Sequence, residues 1–127
     1  MTREERRDGL ATRAALRDLE RALEQLVNIN TRVLATRDVP PLADARVIHQ
    51  ASSTETWRTI PAVLEAGRGD VEDLAAWLCA ELRAKGTLAH VAVVQAGNAL
   101  TCHVVVGNGS NAFEIDPVDW LRGKVQL

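Results

Sequence analysis

Aromatic surface is what this chain has least of. Three tryptophans, one phenylalanine and no tyrosine make 3% of the residues. That is too few for the stacked rings that hold single-stranded nucleic acid. A dominant charge is missing too: fifteen basic residues against seventeen acidic ones leave a formal net charge of −2. Neither nucleic acid nor an anionic membrane is therefore an electrostatic partner. The opening Met1-Thr2-Arg3-Glu4-Glu5-Arg6-Arg7-Asp8 lacks the apolar segment of a secretory signal. No apolar run reaches the roughly 20 residues of a spanning helix. Cysteine is scarce as well. Cys79 and Cys102 are the only two, both in apolar surroundings, and they read as reduced core filler in a cytoplasmic protein.

What is present fits one domain of 127 residues. The best-defined stretch is Gly67-Arg68-Gly69-Asp70-Val71-Glu72-Asp73-Leu74-Ala75-Ala76-Trp77. Asp70 is a good N-cap, and Asp73, three residues on, can close a capping box with it. Glu72 and Asp73 put negative charge where the helix dipole favours it. That accounts for the acidic cluster without a metal, and no cofactor is implied. Val71, Leu74, Ala75, Leu78, Cys79 and Leu82 form one apolar stripe on a helix running to about Gly86. Trp77 falls off the stripe, which makes it, with Trp120, a candidate interface residue.

Ahead of this lies a long helix, predicted from about Glu5 to Leu34, with residues 1–36 as an N-terminal unit and 37–127 as the α+β body. Leu16, Leu19, Leu23, Leu26, Asn30 and Val33 make a narrow seam of coiled-coil type. Such a seam docks on the domain's own core or on another chain. Asn30, a polar residue at an a position, fixes register at some loss of stability, which favours a specified interface. The sequence thus predicts a contact helix whose residues up to about Arg21 extend from the body.

Asp38-Val39-Pro40-Pro41 breaks this helix. Arg46 to Gln50 reads as a short strand, Ser52 to Glu55 as a turn, and Ile60 to Glu65 as a short helix with proline in its first turn. After Gly86 the apolar period changes from 3.6 to 2. His90 to Gln95 and Leu100 to Val106 become strands joined at Ala96-Gly97-Asn98. Gly107 to Ser110 turns into a third strand, Ala112 to Asp116, and Pro117 to Leu121 closes as a helical turn. The fold class is α+β: a long helix, then a central helix packed on a small antiparallel meander. In the second hairpin, pairing Val106 with Asn111 sets Glu114 opposite His103, whereas pairing it with Phe113 sets Asp116 there. Either register leaves His103 and Asp116 on one face, within reach of a hydrogen bond. Such a pair also serves as a plain tie between strands. His49 and His90 stand alone.

The helix start also carries a resemblance. Gly69-Asp70-Val71-Glu72-Asp73-Leu74-Ala75-Ala76-Trp77, preceded by Trp57-Arg58-Thr59-Ile60-Pro61-Ala62-Val63-Leu64, resembles the transglutaminase-like (papain-like) cysteine hydrolases, in the short form common in bacteriophage and prophage genomes. The likeness covers roughly Asn28 to Pro117. In that family the residue after the aspartate is the nucleophilic cysteine, whose thiolate the helix N-terminus stabilises; here it is Val71. His103 matches the general base and Asp116 its orienting partner. A triad needs a nucleophile activated by a base, and valine supplies none. The resemblance therefore implies a catalytically inactive protein with this fold, reused as a structural or interaction component of a virion or its assembly. Its partners would be copies of itself or virion proteins, in the producing cell's cytoplasm or in the particle. The alternative is a cysteine peptidase or amidase whose nucleophile has been replaced by Val71.

Overall fold

The computed structural model describes residues 12–51 and 56–125. The predicted turn at Ser52 to Glu55 and the part of the predicted contact helix ahead of Thr12 lie outside that range. Among the described residues Thr12 starts the first helix, α1 (Arg13–Thr36): its backbone is extended, and its hydroxyl accepts from the Ala15 N–H at 3.0 Å. A capped start at Arg13 corrects the expectation of continuous helix from Glu5. The chain then runs through a 3₁₀ turn (Leu42–Asp44), β1 (Ile48–His49), α2 (Ile60–Ala66), β2 (Arg68–Gly69) and the central helix α3 (Val71–Ala84). Strands β3 (Ala89–Ala96), β4 (Ala99–Val106) and β5 (Phe113–Ile115) follow, and α4 (Pro117–Leu121) closes the fold. It is an α+β fold with a long first helix and a three-stranded antiparallel sheet in the order β3-β4-β5.

The central helix is buried on every side. Each residue from Asp73 to Leu82 is buried, where the sequence pattern marked one stripe. Helix α1 and the sheet cover much of it, and α4 and the 3₁₀ turn cover the rest. Ala75, Ala76 and Ala80 let these neighbours approach closely, and Trp77, at 0% exposure, fills the side away from the stripe. Trp77 is thus a core residue and is not available as an interface.

The α1 seam is likewise internal. Leu23, Leu26, Val27 and Asn30 are buried in the domain's own core, with Leu16, Leu19 and Val33 packed against it. This corrects the reading of these residues as a contact face. Asn30 fixes register inside the domain: its Oδ1 accepts from the Ile60 N–H at 2.9 Å, satisfying a donor at the start of α2. Nor does the helix stand clear of the body as far as Arg21. Glu20 Oε2 accepts from the Val93 N–H at 3.0 Å, and Glu24 pairs with both terminal nitrogens of Arg83, whose Nε donates to the Ala89 carbonyl at 2.8 Å. Both backbone groups lie on the free edge of β3. Two glutamates one turn apart and one arginine thus occupy positions that another strand would take.

In the sheet, Ala89 pairs with Val106 and Ala96 with Ala99, while Val104 pairs with Ile115 and Val106 with Phe113. The second of the two registers weighed above is the observed one. Alternation sends Val91, Val93, Cys102, Val104, Val106 and Ile115 into the core. A feature the sequence did not announce is a two-residue parallel pairing of β1 with β2, with Ile48 opposite Arg68 and His49 opposite Gly69. Gly67 makes it possible by capping α2 with φ 72°. Gly69 lets the strand pass close to the central helix: a Cβ there would meet the Asp73 Cβ at 3.2 Å.

Two outcomes test this packing. Asn30→Ala strands the Ile60 N–H and opens a small cavity, so urea denaturation should show a loss of about 2 kcal/mol with the helical content kept. Glu20→Ala should raise amide exchange at Val93 by roughly tenfold, the loss of one hydrogen bond to a charged acceptor; unchanged exchange would show that the glutamate does not guard the edge.

Candidate functional site

The helix start forms as a reciprocal capping box. Asp70 is extended (φ −83°, ψ 179°), its Oδ1 accepts from the Asp73 N–H at 2.9 Å, and Asp73 Oδ2 accepts from the Asp70 N–H at 3.1 Å. Asp73 does more than close the box. Its Oδ1 accepts from the Arg58 N–H at 2.7 Å, and the Arg58 guanidinium lies 3.7 Å from its Oδ2. The segment before α2 is therefore fastened at two points, by Asp73 at Arg58 and by Asn30 at Ile60. Burial, aided by the neighbouring Asp70 charge, pushes the Asp73 carboxyl up to about 6, against the lowering effect of the bonds from Arg58 and Asp70 and of the Arg58 charge.

Val71 occupies the first helical position, half-buried and packed against the core. It offers an aliphatic side chain where a nucleophile would need a sulfur. His103 and Asp116 do not pair. The imidazole Nδ1 lies 2.9 Å from Glu114 Oε2, and Asp116 Oδ1 accepts from the Val118 N–H at 2.8 Å as the N-cap of α4. The pairing ends at Val104 and Ile115, one residue short of setting Asp116 across from His103, and the local competition goes the other way. An aspartate before proline at a helix start finds a backbone donor two residues on, and the longer glutamate reaches His103 on the diagonal. The Asp116-Pro117 dipeptide was the signal for this outcome. His103 also stands on the face of β4 opposite Cys102, Val104 and Val106.

Neither thiol compensates. Cys79 and Cys102 are free and buried. Burial pushes the Cys79 thiol up to about 11. It pushes Cys102 up further, aided by the negative charges of Glu72, Asp70 and Glu20. Both are neutral thiols at physiological pH, the reverse of an activated nucleophile. Among the described residues, no three His, Cys, Asp or Glu side chains are grouped to hold a metal ion.

Concave surface lies elsewhere. A groove of about 530 Å³ beside Trp120 is lined by Ala43, Leu82, Lys85, Thr87 and Val125. It sits near the C-terminal end of the central helix, roughly 17 to 21 Å from Val71 along the axis at about 1.5 Å per residue. The partly buried Trp120 presents a side to it, while its indole N–H is enclosed without a protein acceptor. Residues that pattern reading missed are Arg58, which holds Asp73, and Glu81, whose buried carboxylate accepts from the Leu42 N–H at 2.8 Å. Neither belongs to a local sequence signal, because their partners are 15 and 39 residues away.

The buried thiols give a direct test. Ellman's reagent at pH 8 should leave both cysteines unmodified in the native protein and release two equivalents on unfolding. Rapid modification of either in the folded state would mean that a reachable thiol exists.

Comparison with known protein families, curated proteins and solved structures returned no match for this chain.

Proposed function

We propose that this domain is a catalytically inactive relative of the transglutaminase-like hydrolases and works by contact with other protein chains, as a component of a virion or of its assembly in the producing cell. The observation that carries the inactive half is Val71. The helix start is fully built, with its capping box and acidic first turn, and the side chain at the nucleophile position has no titratable atom. His103 and Asp116 are each engaged with another partner, and both cysteines are enclosed neutral thiols.

The contact half is supported by large apolar side chains left at the surface. Ile48 is 60% exposed, Leu88 58%, and Ile29 and Phe113 46% each. The groove beside Trp120 adds concave apolar surface of the kind that receives a partner's anchor residue. The α1 seam is occupied internally, so contact falls to these side chains and to the residues ahead of Thr12. Among the described residues no helix is long and apolar enough to cross a membrane. The placement in a virion comes from the resemblance alone.

The full chain should show no hydrolysis or acyl transfer on peptide amides. Turnover that disappears with Cys79→Ala or Cys102→Ala would overturn the inactive reading. In sedimentation velocity, deleting residues 1–11 should abolish self-association or partner binding while the thermal transition stays where it was. A truncated chain that assembles as the full chain does would remove the N-terminal residues from the contact.

A further inference from the structure

The connection between β4 and β5 carries chemistry that neither the core nor the helix start uses. It holds Asn108-Gly109, where the one asparagine of five that precedes a glycine stands. Asparagine is a chemically labile residue, and both residues of this step are exposed. The Asn108 side chain makes no capping bond to the 3₁₀ turn that follows it (Gly109–Asn111). Among the described residues the Gly109 N–H has no backbone acceptor. Gly109 stands at φ 58°, and a Cβ built there would meet nothing within 4 Å. An unbonded backbone nitrogen thus follows directly on an unbonded side-chain amide, with no side chain of its own in the way.

Ring closure between these two groups needs the Asn108 ψ, here 163°, to rotate until the Gly109 nitrogen comes over the Cβ. Little opposes that rotation. The turn is held by the Asn111 N–H on the Asn108 carbonyl and the Ala112 N–H on the Gly109 carbonyl, both at 3.3 Å. These are long bonds for N–H donors, and glycine takes up the altered backbone without a steric penalty. The other asparagines each lack a condition. Asn28 and Asn30 lie inside α1, where the amides of Ile29 and Thr31 belong to the helix ladder. Asn98 and Asn111 are each followed by alanine.

We propose that Asn108 is a site of spontaneous backbone modification, cyclising with Gly109 to a succinimide that opens to aspartate and isoaspartate. Hydroxide takes the proton from the Gly109 amide, and the nitrogen attacks the Asn108 Cγ. The N–Cγ bond forms, the bond from Cγ to the side-chain nitrogen breaks, and that nitrogen leaves as ammonia, taking its third proton from water. A water molecule then adds to one of the two imide carbonyls. Opening between the nitrogen and Cγ gives aspartate; opening between the nitrogen and the former backbone carbonyl gives isoaspartate. One water is consumed and one ammonia released, and nothing is oxidised or reduced.

The two products differ in consequence. Isoaspartate routes the chain through Cβ and Cγ, which adds one methylene to the connection between β4 and β5. That connection sets a register maintained by three residue pairs. It has little slack at Gly107, where an added Cβ would meet the Asn111 carbonyl oxygen at 3.2 Å. The isoaspartyl form therefore loosens β5, and with it the Glu114–His103 contact. Aspartate keeps the backbone spacing and leaves both in place. None of this depends on the domain's working by contact.

The test is incubation of the full chain at pH 8 and 37 °C, with samples digested and mapped by tandem mass spectrometry. Asn108 should lose its amide before the other four asparagines, with ammonia released in equal amount and faster at higher pH. An isoaspartate-specific methyltransferase should label position 108. Isomerisation at Asp8-Gly9, the aspartate–glycine step of the chain, is told apart because it releases no ammonia and changes no mass. Asn108→Ser should stop the early ammonia release. The isoaspartyl fraction should melt below the untreated chain, whereas Asn108→Asp should melt where the untreated chain does. An Asn108 that stays intact in the native chain overturns the proposal, and its conversion in guanidinium chloride would then show that the fold protects the turn. Earlier conversion at Asn98 or Asn111 overturns it as well. An isoaspartyl fraction that melts with the untreated chain overturns the claim on register.

Discussion

Asp73 is a carboxylate without solvent exposure that holds three pieces of chain at one point. One oxygen closes the cap on the central helix, the other fastens the segment leading into α2, and Gly69 passes β2 against its Cβ. A buried charge is tolerated only when its lone pairs are filled, so each of these elements must sit where it does. The segment entering α2 and the start of the central helix are both fixed by that requirement. Few apolar contacts in the domain are so exacting, because hydrophobic burial is non-directional and tolerates small shifts.

The same logic recurs around the central helix. Along most of its length this helix has no solvated face for polar groups, and its charged residues Glu81 and Arg83 meet partners supplied by other elements, while the Trp77 indole N–H is enclosed without an acceptor. Glu81 receives the Leu42 N–H and Arg83 takes Glu24 and the Ala89 carbonyl. On α1, Asn30 receives the Ile60 N–H. These long-range hydrogen bonds orient the apolar surfaces that the core brings together. They also explain how a chain with so few aromatic residues packs well: small alanines on the central helix draw the neighbours close, and Trp77 fills the remaining space.

At the other end of the sheet, His103, Glu114 and Asp116 show how local chemistry overrides a pattern read across strands. Continued by one residue, the strand register would bring Asp116 across from His103, yet the strand ends at Ile115 and the helix that starts at Pro117 claims the aspartate first. A backbone donor two residues away costs little chain entropy to reach, whereas a cross-strand imidazole must be met by two side chains ordered together. Glu114, one methylene longer and exposed, makes that contact at 2.9 Å.

Alone, the sequence determined everything that depends on near neighbours: the Asp70 cap with Asp73, the proline-led α2, the change of period after Gly86, the hairpin at Gly97-Asn98, and the α+β class that these imply. It also determined the chemistry absent at Val71, since no fold can give valine a nucleophilic atom. Tertiary structure decided whatever depends on which surfaces meet. The α1 seam looks the same on paper whether it faces its own core or a partner. Burial of Leu23, Leu26 and Asn30 against the central helix and α2 settled that, as it settled Trp77. The Arg58–Asp73, Glu81–Leu42 and Glu20–Val93 contacts span 15 to 73 residues. Helical and strand periods describe which side of one element a residue occupies, and they carry no information about what stands on the other side.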